Sequence, residues 1–82
     1  MQVSLIITIL GTDSPGLVSS ISEVLEKHKA SWNESRMAHL AGKFAGILRV
    51  SVAEDKIEGL TIALDDLQTN GLKFHIETAH TA

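Results

Sequence analysis

Cysteine is absent from the chain of 82 residues, so a disulfide framework, a thiolate metal site and a cysteine nucleophile are excluded. This composition favours a reducing compartment. Aromatic residues make up only 4%, which leaves few side chains on which nucleic acid bases could stack. The formal net charge is −3, with both signs scattered along the chain, and such a surface repels phosphates. We therefore expect no direct nucleic acid partner.

Long apolar runs and a basic leader are missing as well. The apolar segment 3–10 is too short to cross a bilayer. Residues 1–4 lack the basic region that opens a signal peptide. We therefore expect no membrane partner and a cytoplasmic location. The chain is long enough for one domain, spanning 1–82, and 44% hydrophobic residues can supply a modest core.

The first third of the chain predicts a strand and then a helix. Alternation from residue 3 to 10 is typical of a strand with one buried face. That face carries Val3, Leu5, Ile7 and Ile9. A helical stripe of apolar residues follows and ends near Lys29. It consists of Leu17, Val18, Ile21, Val24, Leu25 and His28.

Two strands, 31–40 and 43–53, come next, and the short link Ala41-Gly42 predicts a hairpin between them. The second strand alternates cleanly. The first does not, because Trp32, Ala38 and Leu40 fit one face and Met37 the other. We therefore expect a bulge in the first strand of the hairpin, at a position that the pattern does not specify.

The last third predicts a second helix and a fourth strand. Glu54-Asp55 opens the helix, and Asn70-Gly71 is a pair that readily adopts the left-handed conformation that ends a helix. The helix buries Ile57, Leu60, Leu64 and Leu67. Phe74 and Ile76 then alternate with polar residues in the final strand.

The order of elements predicts an α+β fold of the ferredoxin-like βαββαβ type. Right-handed crossovers place two helices on one face of a four-stranded antiparallel sheet with strand order 4-1-3-2. The other face has no helix. It is expected to carry Ser4, Ile6, Thr8, Ile47, Arg49 and His75. This face is either solvated or a docking surface for a second copy or a sister domain.

Catalytic and metal sites are not indicated. The serines near the first helix lack a nucleophile elbow, and no two histidines are spaced to share one helical face. The histidines are His28, His39, His75 and His80. The segment 11–17 has no lysine to bind phosphate, and its Asp13 would repel it. We therefore predict a non-enzyme with no catalytic residue, metal or cofactor.

The turn Asp13-Ser14-Pro15-Gly16-Leu17 is the candidate binding site. Ser14 or Asp13 can cap the helix that follows, and Pro15 suits the first helical position. Gly16 leaves the start of the helix open to close approach. Free N–H groups and the helix dipole would favour an anionic group there. The alternative is an ordinary, well-capped turn between a strand and a helix.

The sequence resembles an ACT domain over nearly its whole length. The resemblance rests on the segment 11–18, which contains the Asp-x-Pro-Gly turn, and on Glu34-Ser35-Arg36-Met37 before the hairpin. It is greatest to the type of ACT module found in the glycine-cleavage-system transcriptional repressor. The resemblance implies a regulatory module that pairs with another ACT domain, as a homodimer or with a sister domain. It also implies that an amino acid or similar small molecule binds at the interface.

By this resemblance the ligand site is formed by Asp13, Ser14, Pro15, Gly16 and Leu17. Amides of Gly16 and Leu17 could receive a ligand carboxylate, and Asp13 could pair with its ammonium group. Arg36 either contacts the carboxylate or forms a surface salt bridge with Glu34 or Glu54.

One departure from the family concerns the passage from the first helix to the second strand. Many members have Gly-x-Asn-Ile where this chain has Lys29, Ala30, Ser31 and Trp32. Ser31 takes the place of the ligand-binding asparagine with a shorter side chain. Trp32 takes the place of an apolar core residue and could fill part of the pocket. The alternative function is therefore a ligand-free dimerisation module of a larger regulatory protein.

Overall fold

Alternating and helical apolar patterns form the elements that they predict. The computed structural model describes residues 1–12, 16–68 and 71–79. The elements are β1 (Gln2–Thr12), α1 (Leu17–Lys27), β2 (Ser31–Leu40), β3 (Lys43–Ala53), a 3₁₀ turn (Glu54–Lys56), α2 (Ile57–Leu67) and β4 (Leu72–Thr78). The sheet order is β2-β3-β1-β4, and every neighbouring pair is antiparallel. The predicted ferredoxin-like fold and strand order are confirmed.

The core lies between the sheet and the two helices. Every second residue of β1 and β3 is buried there, because side chains of a strand alternate between its two faces. The buried core consists of Leu5, Ile7, Ile9, Leu17, Ile21, Leu25, Phe44, Leu48, Val50, Val52, Leu60, Leu64 and Leu72. We call the opposite side, which has no helix on it, the open face.

The hairpin has the predicted bounds. Ala41 and Gly42 have φ values of 52° and 76°, and positive φ at both central residues is typical of a type I′ turn. The expected bulge lies between Trp32 and Glu34, where the register with β3 shifts by one residue. Beyond a bulge, each residue lies on the face of the sheet opposite to the one that simple alternation would give it.

The grouping of Trp32 with Ala38 and Leu40 on one face was therefore wrong, because the bulge lies between them. Trp32 and Met37 pair with Val50 and Gly46 of β3, and both are partly buried against the core. Ala38 and Leu40 lie on the open face with Arg36. Leu40 is 80% exposed.

The start of α1 also differs from the prediction. The helix begins at Leu17, and Gly16 is its N-cap, with φ 78°. The predicted first helical position, Pro15, and the predicted caps, Asp13 and Ser14, lie outside the described residues. Val18 is exposed rather than part of the buried stripe, because it follows the buried Leu17 by only one position.

The end of α1 has the geometry of a Schellman motif. The helix ends at Lys27, two residues before the predicted end. The amide of Lys29 donates to the carbonyl of Glu26 at 3.0 Å, and the amide of Ala30 to that of Leu25 at 2.9 Å. Lys29 itself has φ 55°, a left-handed conformation that glycine adopts without steric cost.

Replacing Lys29 by glycine is expected to stabilise the protein by about 1 kcal/mol, because the left-handed strain of a non-glycine residue disappears. Urea denaturation would measure the gain as a higher midpoint with unchanged slope. Lys27→Gly is the matched control, since Lys27 is helical and glycine there should cost about 1 kcal/mol. Equal effects of the two changes would contradict this account of Lys29.

The second helix begins and ends as predicted to within a turn. Glu54 and Asp55 form the 3₁₀ turn that leads into α2. Gly71 has φ 84°, and its amide donates to the carbonyl of Gln68 at 3.1 Å. Asn70, the other half of the predicted stop, is outside the described residues. In the described ranges, no helix combines the length and hydrophobicity needed to span a bilayer.

Candidate functional site

The start of α1 depends on a glycine. Gly16 is exposed, and a Cβ atom added there would meet no atom within 4 Å. Its left-handed φ, rather than lack of space, is therefore what favours glycine. The first helical bond runs from the amide of Ser20 to the carbonyl of Gly16 at 2.9 Å, and the Ser20 hydroxyl donates to the same oxygen at 3.1 Å.

The amide donors at this end include the predicted Gly16 and Leu17 and extend to the next two residues. The first amides of a helix have no acceptor within the helix. Because Gly16 is the N-cap and Ser20 donates the first helical bond, these are the amides of Gly16, Leu17, Val18 and Ser19. The side chain of Leu17 is buried in the core, so this residue can offer only its backbone. The sequence analysis did not assign the amides of Val18 and Ser19 to the site. The left-handed conformation of Gly16, which makes it the N-cap, is the signal that locates these amides.

Arg36 lies away from this end, in the middle of the open face. It pairs in register with Ile47 of β3. Its guanidinium is 3.4 Å from a carboxylate oxygen of Glu34 and donates to the carbonyl of Ser35 at 3.2 Å. Of the two salt-bridge partners that the sequence left open, Glu34 is the one that the structure shows. The Arg36 side chain is 76% exposed.

Ser31 lies at the opposite end of the sheet from Gly16. It pairs with Ser51 of β3, which pairs with Ser4 of β1. Gly16 follows the other end of β1, which closes at Thr12. From Ser4 to Thr12 a strand extends about 27 Å. One copy of the chain therefore does not bring Ser31 and the start of α1 together.

Trp32 follows Ser31 and packs partly buried against the core. The prediction that Trp32 packs as a core residue is confirmed. It pairs with Val50 near the end of the sheet where β1 begins, so it does not fill a pocket at the start of α1 of the same copy.

The remaining predicted site residues, Asp13, Ser14 and Pro15, lie outside the described residues. Their roles in capping and in binding an ammonium group stay predictions. Within the described ranges, no three histidine, aspartate or glutamate side chains are placed to share a metal ion. His28 bonds through Nδ1 to the carbonyl of Val24 at 2.8 Å.

Comparison with known proteins places this arrangement in a family. The sequence model of the ACT domain family matches residues 4–77 of this chain. The chain belongs to the ACT domain family. ACT domains are typically regulatory and non-catalytic, and the structure of this one has the βαββαβ order throughout the described residues.

Among solved structures, the ACT domain is similar to an unknown protein from Galdieria sulphuraria, with 30% identity and a TM-score of 0.86. It is also similar to a "putative glycine cleavage system transcriptional repressor", with 20% identity and a TM-score of 0.90. Each match covers 100% of this chain and 48% of the other. The second likeness, at this identity, is evidence for the fold.

A curated relative, a UPF0237 protein of Methanopyrus kandleri, is 35% identical over 49 residues, which are 60% of this chain and 54% of that protein. The ACT domain thus spans about half the length of these relatives. A formyltetrahydrofolate deformylase from Pseudomonas putida has the same fold in 29% of its length, with 16% identity and a TM-score of 0.83.

Proposed function

We propose that this ACT domain is a non-catalytic regulatory module that pairs with a second ACT domain, binds an amino acid at their interface and transmits this binding to a partner. We place its action in the cytoplasm and in the regulation of transcription. One observation carries the proposal. The predicted ligand groups lie at opposite ends of one copy, and a two-fold pairing along β2 would join them.

The geometry of such a pairing follows from the sheet order. β2 is an edge strand, so the backbone groups on its outer side have no partner strand in one copy. An antiparallel pairing of two β2 strands would satisfy them and form a continuous eight-stranded sheet. It would place Ser31 of one copy beside Leu40 of the other. Leu40 shares a row of the sheet with Lys43 and Thr12, next to the turn that leads to Gly16.

Each group at this interface would have a distinct role. The amides of Leu17, Val18 and Ser19 would receive the ligand carboxylate, assisted by the positive end of the helix dipole. Asp13 would pair with the ammonium group, and Ser31 of the second copy would add a hydroxyl. Arg36 of each copy would stay beside Glu34 in the middle of β2 on the open face, away from the ligand carboxylate.

Titration with each of the twenty amino acids tests this proposal. One or a few should move the amide resonances of residues 16–19 and shift the monomer–dimer equilibrium towards the dimer, since a ligand bound at the interface stabilises it. Sedimentation equilibrium would measure that shift. Ser31→Ala should weaken ligand binding about fivefold, the loss of one neutral hydrogen bond.

Ser22→Ala is the matched control, because Ser22 is exposed on α1 and away from both ends of β2. It should leave ligand binding unchanged. If none of the twenty amino acids, up to millimolar concentration, moves the amide resonances of residues 16–19, the proposed amino acid site is contradicted.

A second candidate function is pairing without a ligand. It is favoured by two observations on this chain. Ser31 is shorter than the asparagine of many family members, and Arg36 is already paired with Glu34. If the module pairs without a ligand, Asp13→Ala should leave the affinity of the dimer unchanged. If amino acid binding is linked to pairing, the amino acid should no longer strengthen the dimer of the Asp13→Ala variant.

A further inference from the structure

The open face has an apolar centre. We call this centre the apolar strip, and it consists of Ile6, Leu10, Ala38, Ala45 and Ile47. Leu10 is 54% exposed and Ile47 45%. Two depressions of about 310 and 350 Å³ lie along the strip and share Arg36 and Ile47 as lining residues. The strip is a shallow continuous groove rather than a closed cavity, and closed cavities are what bind small molecules well.

Basic residues surround the apolar strip. Their positions on the open face follow from the strand registers: Arg36, Lys43, Arg49 and Lys73. The open face thus holds four of the seven lysines and arginines of the chain. Of the nine acidic residues in the described ranges, it holds only two, Glu34 and Glu77.

Both acidic residues already have partners on the open face. Glu34 lies 3.4 Å from Arg36, and Glu77 accepts a bond from His75 at 2.7 Å. Lys43, Arg49 and Lys73 form no ion pair with another described residue. The open face is therefore positive on a chain whose net charge is −3. A negatively charged partner is its electrostatic complement.

The dimensions of the strip fit an α-helix. From Lys43 to Arg49, β3 extends about 20 Å, which is the length of roughly 13 helical residues. The three strands β2, β3 and β1 span about 10 Å across, close to the diameter of a helix with its side chains. Basic residues would then lie on both sides and at both ends of a helix seated along β3 on Ile47 and Leu10.

Aromatic residues are not on the described part of the open face. Trp32, Phe44 and Phe74 all lie against the core on the other side of the sheet. On this described part, nucleic acid bases would find only the imidazole of His75, which is bonded to Glu77, for stacking. An acidic peptide fits this surface better than a nucleic acid does.

We propose that the open face is the docking site for an acidic amphipathic helix of a partner protein. The apolar stripe of that helix covers Leu10, Ala45 and Ile47. Its carboxylates lie beside Arg36 on one flank and Lys73 on the other, and near Lys43 and Arg49 at its two ends. This surface is distinct from the β2 edge and from the start of α1, so the inference stands independently of amino acid binding.

The probe for this proposal is a synthetic helical peptide of about 14 residues, with leucines along one face and glutamates on both flanks. A second peptide with lysine in place of every glutamate is its control. The acidic peptide should bind with saturation and move amide resonances of β1 and β3 on the open face. Its affinity should fall steeply as salt rises, because the contacts are exposed. The basic peptide should not bind.

Variants locate the contact. Arg49→Glu should weaken binding of the acidic peptide at least about tenfold, because it reverses a charge beside the helix. Lys27→Glu makes the same change on α1 and should have no effect. Ile47→Thr should weaken binding about fivefold through lost apolar contact. Ile62→Thr is its control, since Ile62 is 57% exposed on α2.

Several results would overturn the proposal. These are equal binding of the two peptides, equal effects of Arg49→Glu and Lys27→Glu, or resonance shifts confined to the helices. Stronger binding to vesicles of anionic phospholipid, or to a single-stranded oligonucleotide, would assign the positive face to another partner. Self-association that Ile47→Thr abolishes, with no peptide binding, would assign it to a second copy. Circular dichroism and thermal melting of each variant would verify that it is folded.

Discussion

Replacement of Gly11 by alanine is expected to destabilise the protein by about 3 kcal/mol, as overpacking against backbone can do. A Cβ atom at Gly11 would lie 2.7 Å from the carbonyl oxygen of Gly71, 2.7 Å from Cδ2 of Leu72 and 3.0 Å from its Cα. Two of these three atoms are backbone. The start of β4 would therefore have to move to relieve the overlap. This is the place where β4 pairs with β1, since Leu72 pairs with Gly11.

Gly46→Ala is the matched control for this prediction. Gly46 is also in the sheet, but the nearest atom to an added Cβ is the side-chain Cγ of Met37 at 3.3 Å. A flexible methionine can move, so the cost should stay below about 1 kcal/mol. Urea denaturation of both variants would measure the difference. A Gly11→Ala protein as stable as Gly46→Ala would show that the close approach of β1 and β4 is not required.

Leu48→Ala is expected to cost about 3 kcal/mol, within the usual range for a leucine truncated in a core. Leu48 is completely buried in the central strand β3 and pairs in register with Ile7 of β1. The alanine would leave a cavity under the helices. A domain of this length has a free energy of unfolding of about 4–12 kcal/mol, so the loss would be a large part of it.

The neighbouring residue provides the control. Ile47→Ala changes a side chain that faces the open face and is 45% exposed, so we expect a loss below about 1 kcal/mol. Adjacent substitutions in one strand thus report which face the helices cover. The urea midpoint should fall by about 3 M for Leu48→Ala, at a slope near 1 kcal/mol per M. Similar midpoints for the two variants would contradict the assignment of faces.

Local chemistry explains why so much of the fold could be predicted. The hairpin bounds, 31–40 and 43–53, follow from turn residues and alternation, which depend only on neighbours in sequence. The four strands and two helices follow from periodicity in the same way. Their assembly follows from the handedness of crossovers, which leaves few arrangements for this order of elements.

The candidate site was less predictable because it depends on distance in space. Sequence spacing and family resemblance grouped Gly16, Leu17, Ser31 and Arg36. The structure keeps Gly16 and Leu17 together, puts Arg36 beside Glu34 on the open face and puts Ser31 at the far end of the sheet. Strand direction decides this separation, and it becomes visible only when the strands are paired.

The sequence by itself determined the type and order of the elements, the hairpin and most of the buried face of β1 and β3, because periodicity and turn chemistry act over a few residues. Only the tertiary structure decided the position of the bulge beside Trp32, and with it the faces on which Met37, Ala38 and Leu40 lie. It also decided that basic residues from β2, β3 and β4 meet around one apolar strip. A bulge and a charge pattern of this kind depend on the register between strands, which is fixed by the packing of the whole sheet against its helices.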